Sequence, residues 1–224
     1  MLHKDLISII IPCFRQAHYL PKAIQSCINQ TYNNIEIIVV DDGSPDNVQE
    51  AISPYENKIK LIQQENQGLS EARNTGIKFS SGNYLIFLDA DDFLGHDTVT
   101  SQLNFIKKTD DANVVVCRNK LFETITRSSA PTIIGEWPLF KQALGIHLCY
   151  FNIAPCHAFL FRRNTIIQTG YFDSQLKACE DYDFWLRVAV NGSIPIYNPK
   201  GLVFYRRHAK SMSSNVVNQY LHDA

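Results

Sequence analysis

Hydrophobic and polar positions alternate in blocks along the chain, and each block has a readable period. Leu6-Ile7-Ser8-Ile9-Ile10-Ile11 is an apolar, β-branched run stopped by Pro12, which predicts a strand buried on both faces. Leu20 to Ile28 carries apolar residues at Leu20, Ala23, Ile24, Cys27 and Ile28, the spacing of a helix with one buried face. Ile35 to Val40 is a second strand, ending in Asp41-Asp42-Gly43-Ser44-Pro45-Asp46, which is turn chemistry. Lys58 to Gln63 is a weaker third strand. Gly68 to Phe79 is helical and is ended by Ser80-Ser81-Gly82-Asn83. Tyr84 to Leu88 is a fourth strand, followed at once by Asp89-Ala90-Asp91-Asp92. Thr98 to Lys107 reads as a helix and Asn113 to Cys117 as a fifth strand.

This alternation of strands and helices predicts an α/β fold with a mainly parallel sheet. Ligands of such sheets bind beyond the carboxyl ends of the strands. The acidic clusters at Asp41 and Asp89 fall at those ends. The second half is less regular. Phe122 to Glu136 shows no clear period and reads as a loop or short irregular strands, and Pro138 to Ile146 as a helix. Ala158 to Phe161 reads as a strand, Asp181 to Val190 as a helix, and Leu202 to Tyr205 as a late strand before Arg206-Arg207-His208. No internal repeat, low-complexity tract or long linker interrupts the chain.

Composition narrows the class. The chain has 224 residues, 45% hydrophobic and 19% charged, with a formal net charge of −1. That excludes a disordered or collagen-like chain and leaves a single globular domain with a sizeable core. A pI near 6.6 provides no global attraction to nucleic acid or to an anionic membrane. The six cysteines form no CxxC pair, and most sit among apolar residues, as small hydrophobes do. Met1 to Asp5 runs straight into the first strand without the apolar core of a signal peptide. No apolar run approaches ~18 residues, the length a spanning helix needs. A cytoplasmic setting is expected, with no transmembrane segment and room for peripheral contact at the inner face of the membrane.

Asp89-Ala90-Asp91-Asp92 is the strongest chemical signal. Three carboxylates in four residues repel one another unless a cation or hydrogen-bond donors compensate. Mg²⁺ and Mn²⁺ favour oxygen ligands and share them with substrate phosphates; a solvated acidic turn is the plainer alternative. Asp41-Asp42-Gly43-Ser44 places a second acid pair at a strand end, where a carboxylate can accept from a base N–H or a ribose hydroxyl. Asp-Gly is also a common turn dipeptide. Asn66 to Gly76 opens a helix whose N-terminal N–H groups favour an anion, and Arg73 within it could reach a phosphate or form an ordinary ion pair. Asp181, at the start of an aromatic-rich helix, is either an N-terminal charge or a general base. His208 could bind metal or phosphate or simply be exposed. His3, His18, His96, His147, His157 and His222 show no ligand spacing.

Taken in order, these stretches resemble the family 2 glycosyltransferases of the GT-A fold. The matching segments are Ser8-Ile9-Ile10-Ile11-Pro12, Asn29-Gln30-Thr31-Tyr32, Ile35 to Ser44, Asn66 to Gly76, Phe87 to Asp92, Glu180 to Arg187 and Tyr205 to Ser213. They span about residues 6 to 214, and 119–155 matches no motif. The resemblance implies a Rossmann-like, mainly parallel sheet flanked by helices, with a smaller acceptor-side region. Residues 1–118 would form the nucleotide-sugar half, 119–214 the half bearing the acceptor and the base, and 215–224 a tail.

It further implies inverting transfer of a sugar from a nucleotide diphosphate sugar, a UDP-sugar being favoured, to a glycan or lipid-linked acceptor. Mg²⁺ or Mn²⁺ would assist, and the setting would be synthesis of cell-surface polysaccharide or glycan. Pro12, Asp41, Asp42, Arg73 and Asp91 would bind the nucleotide sugar. Asp89, Asp91, Asp92 and His208 would form the metal region, with the choice between Asp91 and Asp92 open. Asp181 would be the catalytic base. The chain stops soon after Ser214, where many members continue with helices or membrane anchors, so a minimal enzyme and a truncated one both stay open.

Other readings fit less well. A haloacid-dehalogenase-type phosphatase carries its DxD on the first strand, and a sugar-nucleotide pyrophosphorylase opens with a Gly-rich loop where this chain has Pro12-Cys13-Phe14-Arg15-Gln16. A Rossmann dehydrogenase needs GxGxxG, which is absent. A catalytically silent nucleotide-sugar-binding module is the rival from another class, opposed by the presence of Asp181 beside the DxD acids.

Overall fold

The computed structural model describes residues 5–109, 111–123, 132–136, 144–150 and 152–208. In chain order the strands are β1 (Ile7–Cys13), β2 (Ile35–Asp42), β3 (Lys60–Gln64), β4 (Tyr84–Phe87), β5 (Phe93–Leu94), β6 (Val114–Glu123), β7 (Thr132–Glu136), β8 (Phe159–Arg162) and β9 (Ile196–Arg207). The helices are α1 (Leu20–Ile28), α2 (Val48–Ile52), α3 (Leu69–Phe79), α4 (Thr98–Lys108), α5 (Leu144–Leu148), α6 (Arg163–Thr169) and α7 (Glu180–Val190).

One sheet runs in the order β3-β2-β1-β4-β8-β6-β9-β5, with β7 paired to β6. β3, β2, β1 and β4 are parallel. β8 runs against β4 and β6, β9 is parallel to β6, β5 is antiparallel to β9 and β7 is antiparallel to β6. β1 has neighbours on both sides and every one of its residues is buried, which accounts for its unbroken apolar run. α1 buries Leu20, Ala23, Ile24 and Cys27, and its Pro21 sits in the first turn, where a missing N–H does no harm. α3 lies close on the sheet at Gly76: a Cβ there would sit 2.2 Å from Ile10 Cγ2.

Several differences from the sequence expectations have a physical origin. β9 begins at Ile196, well before the expected Leu202. Its pairing to β6 jumps from Cys117–Asn198 to Arg118–Leu202, leaving Pro199, Lys200 and Gly201 out of register. That bulge interrupts the apolar pattern and hides the first part of the strand. β6 likewise extends past Cys117 to Glu123. α6 begins with Arg163 and Asn164 and has Ile166 buried but Ile167 60% exposed, so its periodicity is faint. α2 and β5 are too short to show a period. The helix expected over Pro138 to Ile146 is found at Leu144–Leu148, and 137–143 lie outside the described residues. β7 occupies the end of the aperiodic stretch.

An aromatic wedge fixes α7 against the sheet. Trp185 stacks on Phe159 at 4.3 Å and on Phe161 at 5.1 Å between ring centres, and Phe184 stacks on Phe172 at 4.4 Å. Trp185 and Phe184 are fully buried, which anchors α7 on β8 and on Phe172. All six cysteines are free. Among the described residues, no helix is long and apolar enough to cross a membrane.

Candidate active site

The parallel strands end in a cleft of about 790 Å³, lined among others by Pro12, Asp42, Asp89, Asp91, Tyr205 and His208. Its position beyond the carboxyl ends of β1, β2 and β4 is where a parallel sheet binds ligands. Pro12 and Cys13 close β1 and line the cleft. The loop after β1 is tied to the loop after β2: Arg15 N–H donates to Ser44 Oγ at 2.6 Å and Ala17 N–H to Asp46 Oδ2 at 2.7 Å. Gly43 turns the chain after β2 with φ +66°, and a Cβ there would lie 2.8 Å from Asn66 N.

The two acids closing β2 differ in their tasks. Asp41 Oδ1 accepts from Ser44 N–H at 2.9 Å, and Asp41 does not reach the cleft wall. Asp42 is 2% exposed, yet it lines the cleft. Its Oδ1 accepts from Gln64 Nε2 at 2.7 Å and Gln67 N–H at 2.9 Å; its Oδ2 accepts from Gly68 N–H at 2.9 Å and Asn66 Nδ2 at 3.2 Å. Asp42 therefore clasps the segment that leads into α3.

The three acids after β4 point in separate directions. Asp91 faces the cleft, with its Oδ2 2.9 Å from His208 Nε2. Burial and then the charge of Asp89 raise its pKa above the usual carboxylate value, against the pull of His208. Asp92 turns away from the cleft and is 1% exposed. Its Oδ1 accepts from Arg206 N–H at 2.7 Å. Its Oδ2 lies 3.1 Å from Nδ1 of buried His157, without hydrogen-bond geometry. Burial lowers the His157 pKa to about 4, so the imidazole is neutral at pH 7.

Asp89 reaches a different partner. Its Oδ1 accepts from Arg73 Nη2 at 2.9 Å, and Arg73 Nη1 donates to Glu180 Oε1 at 2.7 Å. Arg73 is 2% exposed and lies behind the cleft wall, with Phe172 under its guanidinium at 5.3 Å. Burial works against its charge, but the carboxylates of Asp89, Glu180 and Asp181 around it hold it protonated.

Asp181 stands in the first turn of α7, next to Glu180. Its Oδ1 accepts from Tyr182 N–H at 2.7 Å and its Oδ2 from Asn152 Nδ2 at 3.1 Å. Burial first, and the neighbouring Glu180 charge second, push its pKa up to about 6. A carboxylate held near that value can accept a proton close to neutrality.

The structure thus brings Pro12, Asp42, Asp89, Asp91 and His208 to one cleft. It places Asp41 and Asp92 just behind that wall, and links Arg73 to the Asp181 motif through Glu180. Sequence reasoning did not single out Asn152, His157 or Glu180 individually. Glu180 adjoins Asp181 and sits inside a quoted motif, so its signal was there; Asn152 and His157 carry none, because only the fold brings them to Asp181 and Asp92.

The donor set suits a hard divalent cation. Asp89 and Asp91 offer the carboxylate oxygens that Mg²⁺ and Mn²⁺ take together with phosphate oxygens, and His208 lies at the same wall with its Nε2 2.9 Å from Asp91 Oδ2. Asp89 also forms, with Asp92 and His157 behind the wall, a second grouping whose ligand atoms lie within 4.8 Å of one another.

Comparison with known proteins agrees with this architecture. Residues 8–168 match the model of glycosyl transferase family 2. An uncharacterised glycosyltransferase of Rickettsia prowazekii is 33% identical over 221 residues, covering 97% of this chain and 69% of the relative. Among solved structures, S. aureus TarS 1-349 in complex with UDP-GlcNAc aligns over 94% of this chain and 61% of its own, with TM-score 0.75 and 21% identity. Mannosyltransferase PcManGT from Pyrobaculum calidifontis, in complex with GDP-Man and Mn²⁺, covers 96% of this chain and 61% of its own, with TM-score 0.73 and 16% identity. The chain therefore spans about three fifths of those solved chains, and what they share with it is the fold.

Proposed function

This chain belongs to glycosyl transferase family 2, and from that premise we propose that it moves one sugar from a nucleotide diphosphate sugar to a hydroxyl acceptor with inversion at the anomeric carbon. The observation that carries the proposal is the cleft itself. Asp42, Asp89, Asp91 and His208 meet at the strand ends, and a base-competent Asp181 is linked to Asp89 through Glu180 and Arg73.

The cleft at Pro12 and Asp42 would take the nucleoside. Asp91, Asp89 and His208 would hold Mg²⁺ or Mn²⁺, which when bound neutralises diphosphate charge. Asp92, committed to Arg206 N–H and set beside His157, supports that loop from behind. An acceptor hydroxyl is a poor nucleophile until it loses its proton. Asp181 would take that proton as the oxygen attacks the anomeric carbon from the face opposite the diphosphate. The bond from the anomeric carbon to the phosphate oxygen breaks, and its electron pair leaves with the nucleoside diphosphate. A single displacement inverts the centre.

TarS binds UDP-GlcNAc and PcManGT binds GDP-Man, so both nucleotides belong in the test. Calorimetry of UDP, GDP, dTDP and CDP, each with Mn²⁺ and with EDTA, is the experiment. One nucleotide binding tightly only with Mn²⁺ supports the reading and names the donor class. Absence of binding by all four would overturn it. The acceptor is proposed to be a glycan or a lipid-linked sugar, with cell-surface polysaccharide or glycan as the product and the cytoplasmic face of the membrane as the place of work.

A further inference from the structure

Asn152 lies in the stretch that carries no family motif, between α5 and β8. Its Nδ2 donates to Asp181 Oδ2 at 3.1 Å, while Asp181 Oδ1 accepts from Tyr182 N–H at 2.7 Å. One donor on each oxygen fixes both the rotamer and the plane of the carboxylate. The segment carrying Asn152 is itself pinned to α7, because the Tyr182 hydroxyl donates to Leu148 O at 2.8 Å. Base and partner therefore belong to two segments locked together at two points.

We infer that Asn152 is the positioning residue of the base: its amide holds Asp181 Oδ2 and fixes the orientation in which Asp181 takes the acceptor proton. The inference rests on the reading of Asp181 as the base. A neutral amide suits the task better than a cation. It orients the carboxylate without lowering its basicity as a full positive charge would. The groups facing Asp181 divide that labour. Glu180 on its own helix raises its proton affinity, and the Arg73 cation from α3 lowers it but is committed to Asp89 and Glu180. Buried Cys156 lies in the same surroundings, with its thiol pKa raised well above normal by burial, so it remains uncharged. The same contact with Asn152 also favours the charged form of Asp181, so removing it has a readable sign.

The experiment titrates the Asp181 carboxyl by ¹³C NMR in the wild-type chain and in Asn152→Ala and Asn152→Gln, with Asp181→Asn identifying the signal. A second arm follows release of nucleoside diphosphate from UDP-GlcNAc and from GDP-mannose with Mn²⁺. The Asp181 midpoint is expected to rise in Asn152→Ala, by about half a unit to one unit, as a lost hydrogen bond to a carboxylate predicts. It is expected to return toward wild type in Asn152→Gln, which restores an amide. Turnover should fall by about tenfold or more in Asn152→Ala while nucleotide affinity stays within about twofold, the pattern of a lost positioning contact. Unchanged titration in Asn152→Ala overturns the inference even if the base reading survives. Retained turnover in Asp181→Asn overturns the base reading, and with it the inference.

Discussion

Arg73 and Glu180, 107 residues apart in sequence, are joined at 2.7 Å, and the same guanidinium reaches Asp89 at 2.9 Å. One buried cation thus ties the loop after β4 to the first turn of α7. The acid proposed for the metal region and the motif proposed to supply the base share a single partner. Removing one member of a buried pair costs about 3–5 kcal/mol, because the other charge is left uncompensated. Arg73→Ala is therefore expected to lower Tm and to reduce turnover more than nucleotide affinity. Calorimetry and thermal melts separate this from direct contact with the nucleotide, which would show as a large loss of affinity with little change in Tm.

Asp181→Asn is expected to abolish transfer while leaving nucleotide binding intact, since Asp181 lies outside the cleft wall that carries Asp42, Asp89 and Asp91. Its pH dependence follows from its environment. With the pKa at about 6, turnover should fall as pH drops through 6 and level off above it. The stability effect has the opposite sense. A folded-state pKa raised above the unfolded value means that the folded chain binds the proton more tightly, so the stabilisation present at low pH is lost as pH rises through 6. Asp181→Asn should therefore be more stable than wild type at pH 8, on the order of 1–2 kcal/mol after allowing for partial exposure, and nearly equal to it at pH 4. Urea melts at the two pH values would decide; equal differences at both would refute the burial argument.

Most of the parallel half was legible in the sequence because β1, β2 and β4 are buried along most of their length and α1 shows one clean apolar stripe. The strand ends could be placed to within a residue or two, so the acidic clusters were correctly expected at the carboxyl edge of the sheet. What could not be read was the wiring between distant segments. Nothing in the Arg73 stretch announces that its guanidinium is spent on Asp89 and Glu180, and nothing near Asn152 points to Asp181. Asp92 is the sharpest case: three aspartates in four residues look equivalent as letters. The turn after β4 sends Asp91 to the cleft and Asp92 to the Arg206 backbone and His157.

That division predicts different outcomes for the neighbouring acids. Asp91→Ala and His208→Ala should weaken nucleoside diphosphate binding measured with Mn²⁺ by about tenfold or more, as loss of a ligand or its immediate partner does. Neither should change binding measured with EDTA. Asp92→Ala should leave the Mn²⁺ effect largely in place and lower Tm instead, because the buried Arg206 N–H loses its acceptor. If Asp92→Ala removes the Mn²⁺ dependence and Asp91→Ala does not, the buried grouping with His157 is the metal site.

Asp42 offers a contrast that needs no metal. Its carboxylate takes the backbone N–H groups of Gln67 and Gly68 and the side chains of Gln64 and Asn66, so it holds the entry to α3 beneath the cleft. Truncating it leaves those backbone donors to find other partners, at about 1–3 kcal/mol each where they stay buried. Asn at the same place keeps only one acceptor oxygen and turns an amide toward a donor. Asp42→Ala and Asp42→Asn are therefore expected to lose Tm together and to lose nucleotide affinity by similar factors with Mn²⁺ and with EDTA. Calorimetry under both conditions reads the result directly. A loss confined to Mn²⁺ would move Asp42 into the metal region, whereas an equal loss marks it as the support on which the nucleoside end of the cleft is built.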